Sequence, residues 1–101
     1  MHIYAWTGNY DWFFIGTPGY GAPFHLDNVN KPSWQAQISG VKEWKLRAPP
    51  ECRNSYLSNI CITDELRVDL HPGDIIVVNT NWWEHATYVK EGISITVTNE
   101  Y

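Results

Sequence analysis

Hydrophobic and polar residues alternate with a period of about two along most of the chain, and no long stretch repeats its apolar positions at helical spacing. Alternation of this kind is typical of β-strands that bury one face. We therefore predict about eight short strands, rich in β-branched and aromatic residues, and little or no helix. The predicted strands are Trp12–Ile15, Ala22–Asp27, Trp34–Ile38, Glu43–Arg47, Glu65–Leu70, Ile75–Asn79, Ala86–Val89 and Ile93–Thr98.

Residues that favour turns separate these strands. Glycine, proline, asparagine and aspartate cluster between them, and these residues adopt or initiate the backbone conformations of tight turns. Many short strands with few helices indicate an all-β domain, built as a sandwich or a barrel. The turn clusters are Gly16–Gly19, Asn28–Pro32, Ser39–Gly40, Ala48–Pro50, His71–Asp74 and Lys90–Gly92.

Composition and charge narrow the class of protein. The chain has 101 residues, 44% of them hydrophobic and 15% aromatic, with six tryptophans. This fits one domain over residues 1–101, which could be the core of a longer protein, and it excludes disorder. A net charge of -4 argues against a nucleic-acid or membrane partner, and no window is apolar enough to span a bilayer. A protein or peptide substrate of basic character fits this charge better.

The two cysteines bear on the cellular location. Cys52 and Cys61 lie within Ala48–Thr63, the longest segment without a strand pattern. We expect two reduced cysteines in a cytoplasmic or nuclear protein, with a disulfide and the secretory pathway as the alternative. The start of the chain shows no signal peptide, and the sequence does not otherwise fix the location.

One short motif places two metal-binding side chains on the same face of a predicted strand. His25 and Asp27 are two residues apart, so both can point inward while Leu26 faces the other way. His85 could supply a third ligand from a later strand. Two histidines and one carboxylate on one side of an octahedral ion leave positions open, as Fe(II) oxygenases require. A lone His-x-Asp pair is common, so the surrounding sequence decides whether this pair is interpreted as a metal site.

Longer motifs supply that context, and they cover most of the chain. They are Trp12–Gly16, Pro23–Asp27, Trp34–Trp44, Pro72–Ile76, Trp82–His85 and Ile93–Val97. In this combination the chain resembles the JmjC/cupin-like oxygenases that depend on Fe(II) and 2-oxoglutarate, in the cupin-8 or asparaginyl-hydroxylase-like branch. The resemblance implies a double-stranded β-helix, also called a jelly-roll or cupin barrel.

The resemblance also implies roles for individual residues. His25, Asp27 and His85 match the Fe(II) ligands of the family. Lys42 matches the lysine that pairs with the distal carboxylate of the cosubstrate 2-oxoglutarate, and a buried ammonium does need an anionic partner. Thr96 matches a hydroxyl that binds the same carboxylate, and Gln35 stands where a relative carries a cosubstrate-contacting asparagine.

Two positions depart from the family pattern. Ala22 replaces a threonine that contacts the cosubstrate, and either Tyr20 or Thr96 could compensate for the lost hydroxyl. Glu84 is inserted before His85, and we expect a β-bulge to absorb it so that His85 still points inward. The alternative is that Glu84 supports a metal ligand or binds the metal itself; it is less favoured, because neighbouring strand residues alternate between faces and Glu84 should face away from the site.

These features predict an Fe(II)- and 2-oxoglutarate-dependent dioxygenase that uses O2 and hydroxylates a protein side chain. Hydroxylation is preferred to N-demethylation, although both begin at a C–H bond. The alternative is a catalytically degenerate cupin-like module that binds a metal or a peptide. A plain cupin, such as a sugar isomerase, would need further metal-binding residues near His25. The substrate and the oligomeric state are not encoded in these motifs.

Overall fold

A computed structural model of the chain describes residues 2–6, 11–28, 31–49, 52 and 65–100. These residues form six β-strands and no α-helix, which confirms the prediction of an all-β protein. No helix of this part of the chain is long and apolar enough to cross a membrane. The strands are β1 (His2–Trp6), β2 (Trp12–Gly16), β3 (Ser33–Arg47), β4 (Leu66–Leu70), β5 (Ile75–Val78) and β6 (Glu84–Glu100).

All the strand pairs are antiparallel, and the longest one joins β3 to β6. The order in the sheet is β1-β2-β6-β3-β4, and β5 also pairs with β3. β3 has 15 residues and β6 has 17, and they pair from Ser33 opposite Glu100 to Arg47 opposite Glu84. β2 pairs with the C-terminal half of β6, whereas β4 pairs with the C-terminal half of β3. The β3–β6 pair thus connects both halves of the sheet.

The expectation of about eight short strands is wrong for the described part of the chain, because predicted neighbours merge. Trp34–Ile38 and Glu43–Arg47 become the single strand β3. Ala86–Val89 and Ile93–Thr98 become the single strand β6. The segment Ala22–Asp27 is not a continuous strand and contributes one isolated bridge.

Glycines explain why two predicted turns lie inside strands. The β3–β6 pairing shifts register between Gln37 and Lys42, and Gly40 and Gly92 have φ angles of 71° and 66°. A glycine in the left-handed region allows a bulge that bends a strand without ending it. Sequence patterns of this kind resemble turns, because the same glycines favour both.

The N-terminal half of β3 pairs with the C-terminal half of β6, and the buried face that these two halves share is polar. The apolar residues that alternate with the buried polar ones face outward, and Ile38 and Ile93 are 55% and 51% exposed. The apolar core is correspondingly small and centres on Trp44, Leu70 and Val78. The sheet therefore encloses a polar interior. The buried polar residues are Ser33, Gln35, Gln37, Ser94, Thr96 and Thr98.

The cysteines differ from the first expectation. Cys52 is disulfide-bonded rather than free. The other cysteine of the chain, Cys61, lies outside the described residues, as does most of the segment Ala48–Thr63. The reduced pair that we preferred from the sequence is thus not what the structure contains.

We predict that Gly40→Ala destabilises the protein more than Gly92→Ala. Both alanines would occupy the left-handed region, which costs about 1 kcal/mol. A Cβ on Gly40 would lie 2.7 Å from the Ile93 carbonyl oxygen, whereas on Gly92 the nearest atom is the Gly40 Cα at 3.6 Å. In urea unfolding, Gly40→Ala should lose at least ~2 kcal/mol more than Gly92→Ala. Equal losses would contradict the close approach of the two strands.

Candidate functional site

His25 is held directly opposite His85 by backbone pairing. The extended segment from Tyr20 to His25 runs antiparallel to the N-terminal half of β6. The Val89 N–H donates to the Tyr20 carbonyl at 2.8 Å, and Ala22 and Thr87 exchange hydrogen bonds of 3.0 and 3.1 Å. His25 and His85 likewise exchange hydrogen bonds of 3.1 and 3.0 Å. The two imidazoles consequently lie on the same face, with ring centroids 4.1 Å apart.

This pairing contains an extra residue on the His25 side. Between Ala22 and His25 the segment advances three residues, while β6 advances only two from Thr87 to His85. The extra residue falls at Pro23–Phe24, where proline has no N–H to donate. The bulge that we expected at Glu84 is therefore located on the opposite segment. The extra residue changes the direction of the His25 side chain, so that β6 can continue through Glu84 without a bulge.

Two contacts fix the outer side of this pairing. The Arg47 guanidinium lies 3.6 Å from the centroid of the Phe24 ring, and its Nη1 lies 4.0 Å from the Glu84 carboxylate. Glu84 therefore faces away from the histidines, as strand alternation predicts. Gly21 permits the close approach, because a Cβ there would collide with the Thr87 carbonyl. Neither Arg47 nor Gly21 was identified from the sequence.

Three side chains converge where His25 and His85 meet. The His25 Nε2 lies 3.4 Å from Asp27 Oδ1, and the His85 Nε2 lies 3.6 Å from Asp27 Oδ2. One ligand atom from each residue falls within 4.8 Å of the others. The Asp27 N–H donates to the Thr80 carbonyl at 2.9 Å, which anchors the loop that carries the carboxylate. The three residues predicted as metal ligands are thus brought together.

Backbone carbonyls select the tautomer of both histidines. His25 Nδ1 lies 2.7 Å from the Pro23 carbonyl oxygen, and His85 Nδ1 lies 3.0 Å from the Trp83 carbonyl oxygen. Because a carbonyl oxygen only accepts hydrogen bonds, each Nδ1 carries the proton and each Nε2 keeps its lone pair. Metal-binding histidines use the same arrangement to orient the ligating nitrogen. Burial also lowers the pKa of His85, which favours the neutral form.

The triad opens into a cavity of about 150 Å³, here called the triad cavity. Lys42 lines it and is only 3% exposed. Its Nζ donates to Thr96 Oγ1 at 3.0 Å, and the Thr96 hydroxyl donates to Gln37 Oε1 at 2.8 Å. None of the ion pairs in the described part of the chain includes Lys42. Burial lowers the Lys42 pKa from 10.5 to about 8. The other lining residues are Phe14, Ala22, His25, Asp27, Gln35, Trp44, His85 and Thr87.

The remaining predicted contacts divide between this cavity and the surface. Gln35 lines the cavity. Thr96 is connected to the cavity by the hydrogen bond that it accepts from the lining residue Lys42. The Tyr20 side chain does not line the cavity, because it is 55% exposed and only the Tyr20 backbone joins the pairing with β6. Tyr20 is therefore a wrong choice to replace the hydroxyl that Ala22 lacks. Thr87 lines the cavity beside Ala22 and carries the nearer hydroxyl.

Trp44 is a site residue that the sequence did not single out. Its ring stacks on His85 with centroids 5.8 Å apart and an interplanar angle of 18°. The buried Trp44 Nε1 has no hydrogen-bond partner. Gln37 was also missed, although its position two residues after Gln35, on the same face of β3, is a visible signal. Lys42 and Trp44 thus both line the triad cavity, and neither the Lys42 ammonium nor the buried Trp44 N–H has an anionic partner among the described residues.

Comparisons with known proteins agree with this fold. No family model matches the chain. It is 26% identical over 107 residues to arginine-specific demethylase JMJ20 of Arabidopsis thaliana, covering 86% of this chain and 23% of that protein. It is 42% identical over 41 residues to arginine-specific demethylase JMJ22 of the same plant, covering 41% of this chain and 8% of that protein. The chain therefore spans a quarter or less of these curated relatives.

Solved structures match nearly the whole length of this chain. The Drosophila melanogaster CENP-C cupin domain matches 99% of this chain and 75% of its own with a TM-score of 0.69 at 10% identity. An RmlC-like cupin protein from Desulfovibrio desulfuricans matches 97% of this chain and 78% of its own, with a TM-score of 0.59 at 12% identity. The chain has a cupin/JmjC-like fold.

We predict that removing either histidine abolishes tight metal binding. In an anaerobic Co(II) titration followed by visible absorption, His25→Ala and His85→Ala should each lose at least ~100-fold in affinity, because a ligand is lost. Glu84→Gln is the matched control and should stay within about 3-fold of the parent protein, since Glu84 contacts Arg47. An equal loss in Glu84→Gln would show that the metal binds elsewhere.

The lowered pKa of Lys42 predicts how stability depends on pH. Between pH 8 and 10.5 the unfolded chain holds a proton on this lysine that the folded protein has released. The free energy of unfolding should therefore rise with pH across this window. In metal-free protein, Lys42→Met should be more stable than the parent at pH 7 by up to ~3 kcal/mol, and the difference should vanish near pH 10.5. A difference independent of pH would contradict a buried ammonium.

Proposed function

We propose that this chain is the core of an Fe(II)- and 2-oxoglutarate-dependent oxygenase that oxidises a protein side chain. One observation carries the proposal most directly: a buried lysine without an anionic partner lines the same cavity as a His/Asp/His cluster. A cluster of metal-binding side chains alone would fit many cupins. A cationic group buried beside it calls for a bound anion as well.

The three clustered residues have the chemistry that Fe(II) requires. Two neutral imidazole Nε2 atoms and one carboxylate oxygen are ligands that suit this ion and leave further coordination positions for other molecules. His25 and Asp27 side chains are 41% and 36% exposed, whereas that of His85 is 4% exposed. A metal held by them would be reachable from solvent on one side and closed on the His85 side.

The triad cavity also fits a dicarboxylate. The Lys42 ammonium would pair with one carboxylate, and Thr96 would hold the lysine in place through the hydrogen bond that it already accepts. Trp44 lines the same cavity, and its buried N–H is a second donor without a partner. An anion bound there would compensate for the desolvation of Lys42, which the protein alone does not do.

The chain's own residues would bind and orient the reactants. His25, Asp27 and His85 would hold the metal, with Trp44 packed against the His85 ring and the Pro23 and Trp83 carbonyls fixing both imidazoles. Lys42 would fix the cosubstrate at its far end, and the buried walls around it would exclude water. When bound, Fe(II), 2-oxoglutarate and O2 supply the oxidation of a substrate C–H bond, with succinate and CO2 as the other products.

Two kinds of oxidation are compatible with such a site, hydroxylation and N-demethylation. We prefer hydroxylation of a protein side chain, whereas the Arabidopsis relatives are named arginine-specific demethylases. Both reactions begin with cleavage of a substrate C–H bond, and a hydroxylated N-methyl group then leaves as formaldehyde. Formaldehyde release from a methylated peptide would therefore distinguish demethylation from stable hydroxylation.

A second candidate function is a module that binds a metal or a peptide without turnover. It is favoured by Ala22, which lines the triad cavity where the family has a hydroxyl. One structural neighbour, with a TM-score of 0.68, is CENP-C of Drosophila melanogaster bound to CAL1. A domain of this fold can therefore take part in a protein complex. Absence of any succinate would favour this candidate.

We predict that the protein converts 2-oxoglutarate to succinate without added substrate when ascorbate supplies the two electrons that a substrate would otherwise give, and that Lys42→Ala raises the KM for 2-oxoglutarate at least ~100-fold. Removing one partner of a buried charge pair typically costs 3–5 kcal/mol, which corresponds to a factor of about 100 or more. Lys45→Ala is the matched control on the same strand, because Lys45 lies near Glu43 on the surface. Co(II) affinity should stay within about 3-fold in both variants.

Two results would contradict this proposal. One is the absence of succinate when the Fe(II)-loaded protein is given 2-oxoglutarate and ascorbate under air. The other is an equal rise in KM for Lys42→Ala and Lys45→Ala, which would mean that the carboxylate is bound by surface charge.

A further inference from the structure

Gln37 and Lys42 are both buried, although Lys42 lies five positions after Gln37 on β3. Strict alternation would place two residues separated by an odd number of positions on opposite faces of the sheet. The pairing of β3 with β6 shifts register between these two residues, and Gly40 lies between them in the left-handed region. This bulge is therefore what turns the Lys42 side chain to the buried face.

The Gln37 carboxamide contacts the backbone of the bulge. Its Nε2 donates to the Ser39 carbonyl at 2.8 Å and to Ser94 Oγ at 3.0 Å, and it lies 3.4 Å from the Gly40 carbonyl oxygen. Because carbonyl oxygens only accept hydrogen bonds, the end of the carboxamide that meets Ser39 and Gly40 must be the amino group. The other end, Oε1, consequently faces Thr96.

This orientation fixes the direction of two further hydrogen bonds. Thr96 lies directly opposite Gln37 in the β3–β6 pairing, and its Oγ1 is 2.8 Å from Gln37 Oε1. Because Oε1 carries no proton, the Thr96 hydroxyl must donate to it, and Thr96 Oγ1 accepts from the Lys42 Nζ at 3.0 Å. None of the three residues is more than 3% exposed. A buried hydrogen-bond chain thus runs in one direction, from Lys42 through Thr96 to Gln37.

The direction of this hydrogen-bond chain determines which donors remain for an anion. The Thr96 proton is already used by Gln37. The Lys42 ammonium has three N–H groups, one of which donates to Thr96, and the other two have no partner among the described residues. Lys42 lines the triad cavity, whereas Gln37 does not. Gln37 can therefore influence a bound anion only through Thr96 and Lys42.

We propose that Gln37 is a positioning residue for the anion site of the triad cavity. It makes Thr96 an acceptor for the lysine, so that the Lys42 ammonium is held in place and its two remaining N–H groups donate to the anion. A side chain that is ordered before binding loses less conformational entropy on binding, which raises the affinity. The identity of the anion as the far carboxylate of 2-oxoglutarate rests on the proposed function, whereas the position of the ammonium does not.

The first test follows the Lys42 ammonium by NMR in metal-free protein at pH 6, where this lysine is charged. Gln37→Met and Thr96→Val nearly keep the size of each side chain and interrupt the hydrogen-bond chain. Both should speed hydrogen exchange of the ammonium at least ~10-fold, because its protons lose an ordered acceptor.

Two matched controls separate positioning from a general effect on the fold. Thr96→Ser retains the hydroxyl, and Ser94→Ala leaves Gln37 its contacts with the Ser39 and Gly40 carbonyls. Both should stay within about 3-fold of the parent protein in ammonium exchange. An acceleration in Ser94→Ala as large as that in Gln37→Met would overturn the inference, because Gln37 would then act only by stabilising the bulge.

The second test measures the binding of two 2-oxo acids to the Zn(II)-loaded protein by NMR titration, since Zn(II) has no redox chemistry. Gln37→Met should weaken 2-oxoglutarate about 10-fold. It should leave 2-oxopentanoate, in which a methyl group replaces the far carboxylate, within about 3-fold of the parent protein. In the double variant the losses from Gln37→Met and Thr96→Val should not add, because the two residues act in series. Equal weakening of both 2-oxo acids, or additive losses, would contradict the inference.

The outcomes distinguish this inference from the proposed function. If 2-oxoglutarate binds the parent protein and Gln37→Met equally well, the inference fails while the proposed function stands. If Gln37→Met speeds ammonium exchange as expected and 2-oxoglutarate does not bind the parent protein, Gln37 positions the lysine in a protein that is not a 2-oxoglutarate-dependent oxygenase.

Discussion

The hydrogen-bonded pair formed by His25 and His85 is the constraint on which the rest of the site depends. The two residues exchange backbone hydrogen bonds, so their side chains emerge on the same face, and their Nδ1 protons are fixed by carbonyls of the same two segments. Asp27 follows two residues later and is anchored to Thr80. Loss of the pairing would separate all three candidate ligands. The extra residue at Pro23–Phe24, held beneath Arg47, is what allows the pairing to place His25 in line.

The polar interior of the sheet has an energetic cost that a ligand would offset. Lys42 is buried without an anion, and the Trp44 N–H is buried without an acceptor. The Ser33 and Thr80 hydroxyls are also buried without a hydrogen-bond partner. Unsatisfied groups are expensive in a small domain, whose net stability is only a few kcal/mol. Lys42 and Trp44 both line the triad cavity, and this is the physical reason for assigning a binding function to that cavity.

The residue types of the site could be predicted from the sequence, whereas part of the geometry of the site could not. His25, Asp27 and His85 could be predicted, because strand alternation places the first two on one face and the motif context supplies the third. The position of the bulge could not, because it depends on which residue of β6 faces Ala22. Gly40 and Gly92 misled the strand count, since a left-handed glycine bends a strand as readily as it forms a turn. Alternation along β3 also reveals two faces without telling which is buried, so Gln37 and the unpaired Ser33 were missed.

The central claim is that one metal ion at the triad and one 2-oxoglutarate at Lys42 share a single cavity. The most direct measurement is the visible absorption spectrum of the anaerobic protein with Fe(II) and 2-oxoglutarate, because chelation of the iron by the 2-oxo acid produces a weak metal-to-ligand charge-transfer band. We predict this band in the parent protein and in Glu84→Gln, and its loss in His85→Ala. A parent protein without the band, or a band of undiminished intensity in His25→Ala, would contradict the shared site.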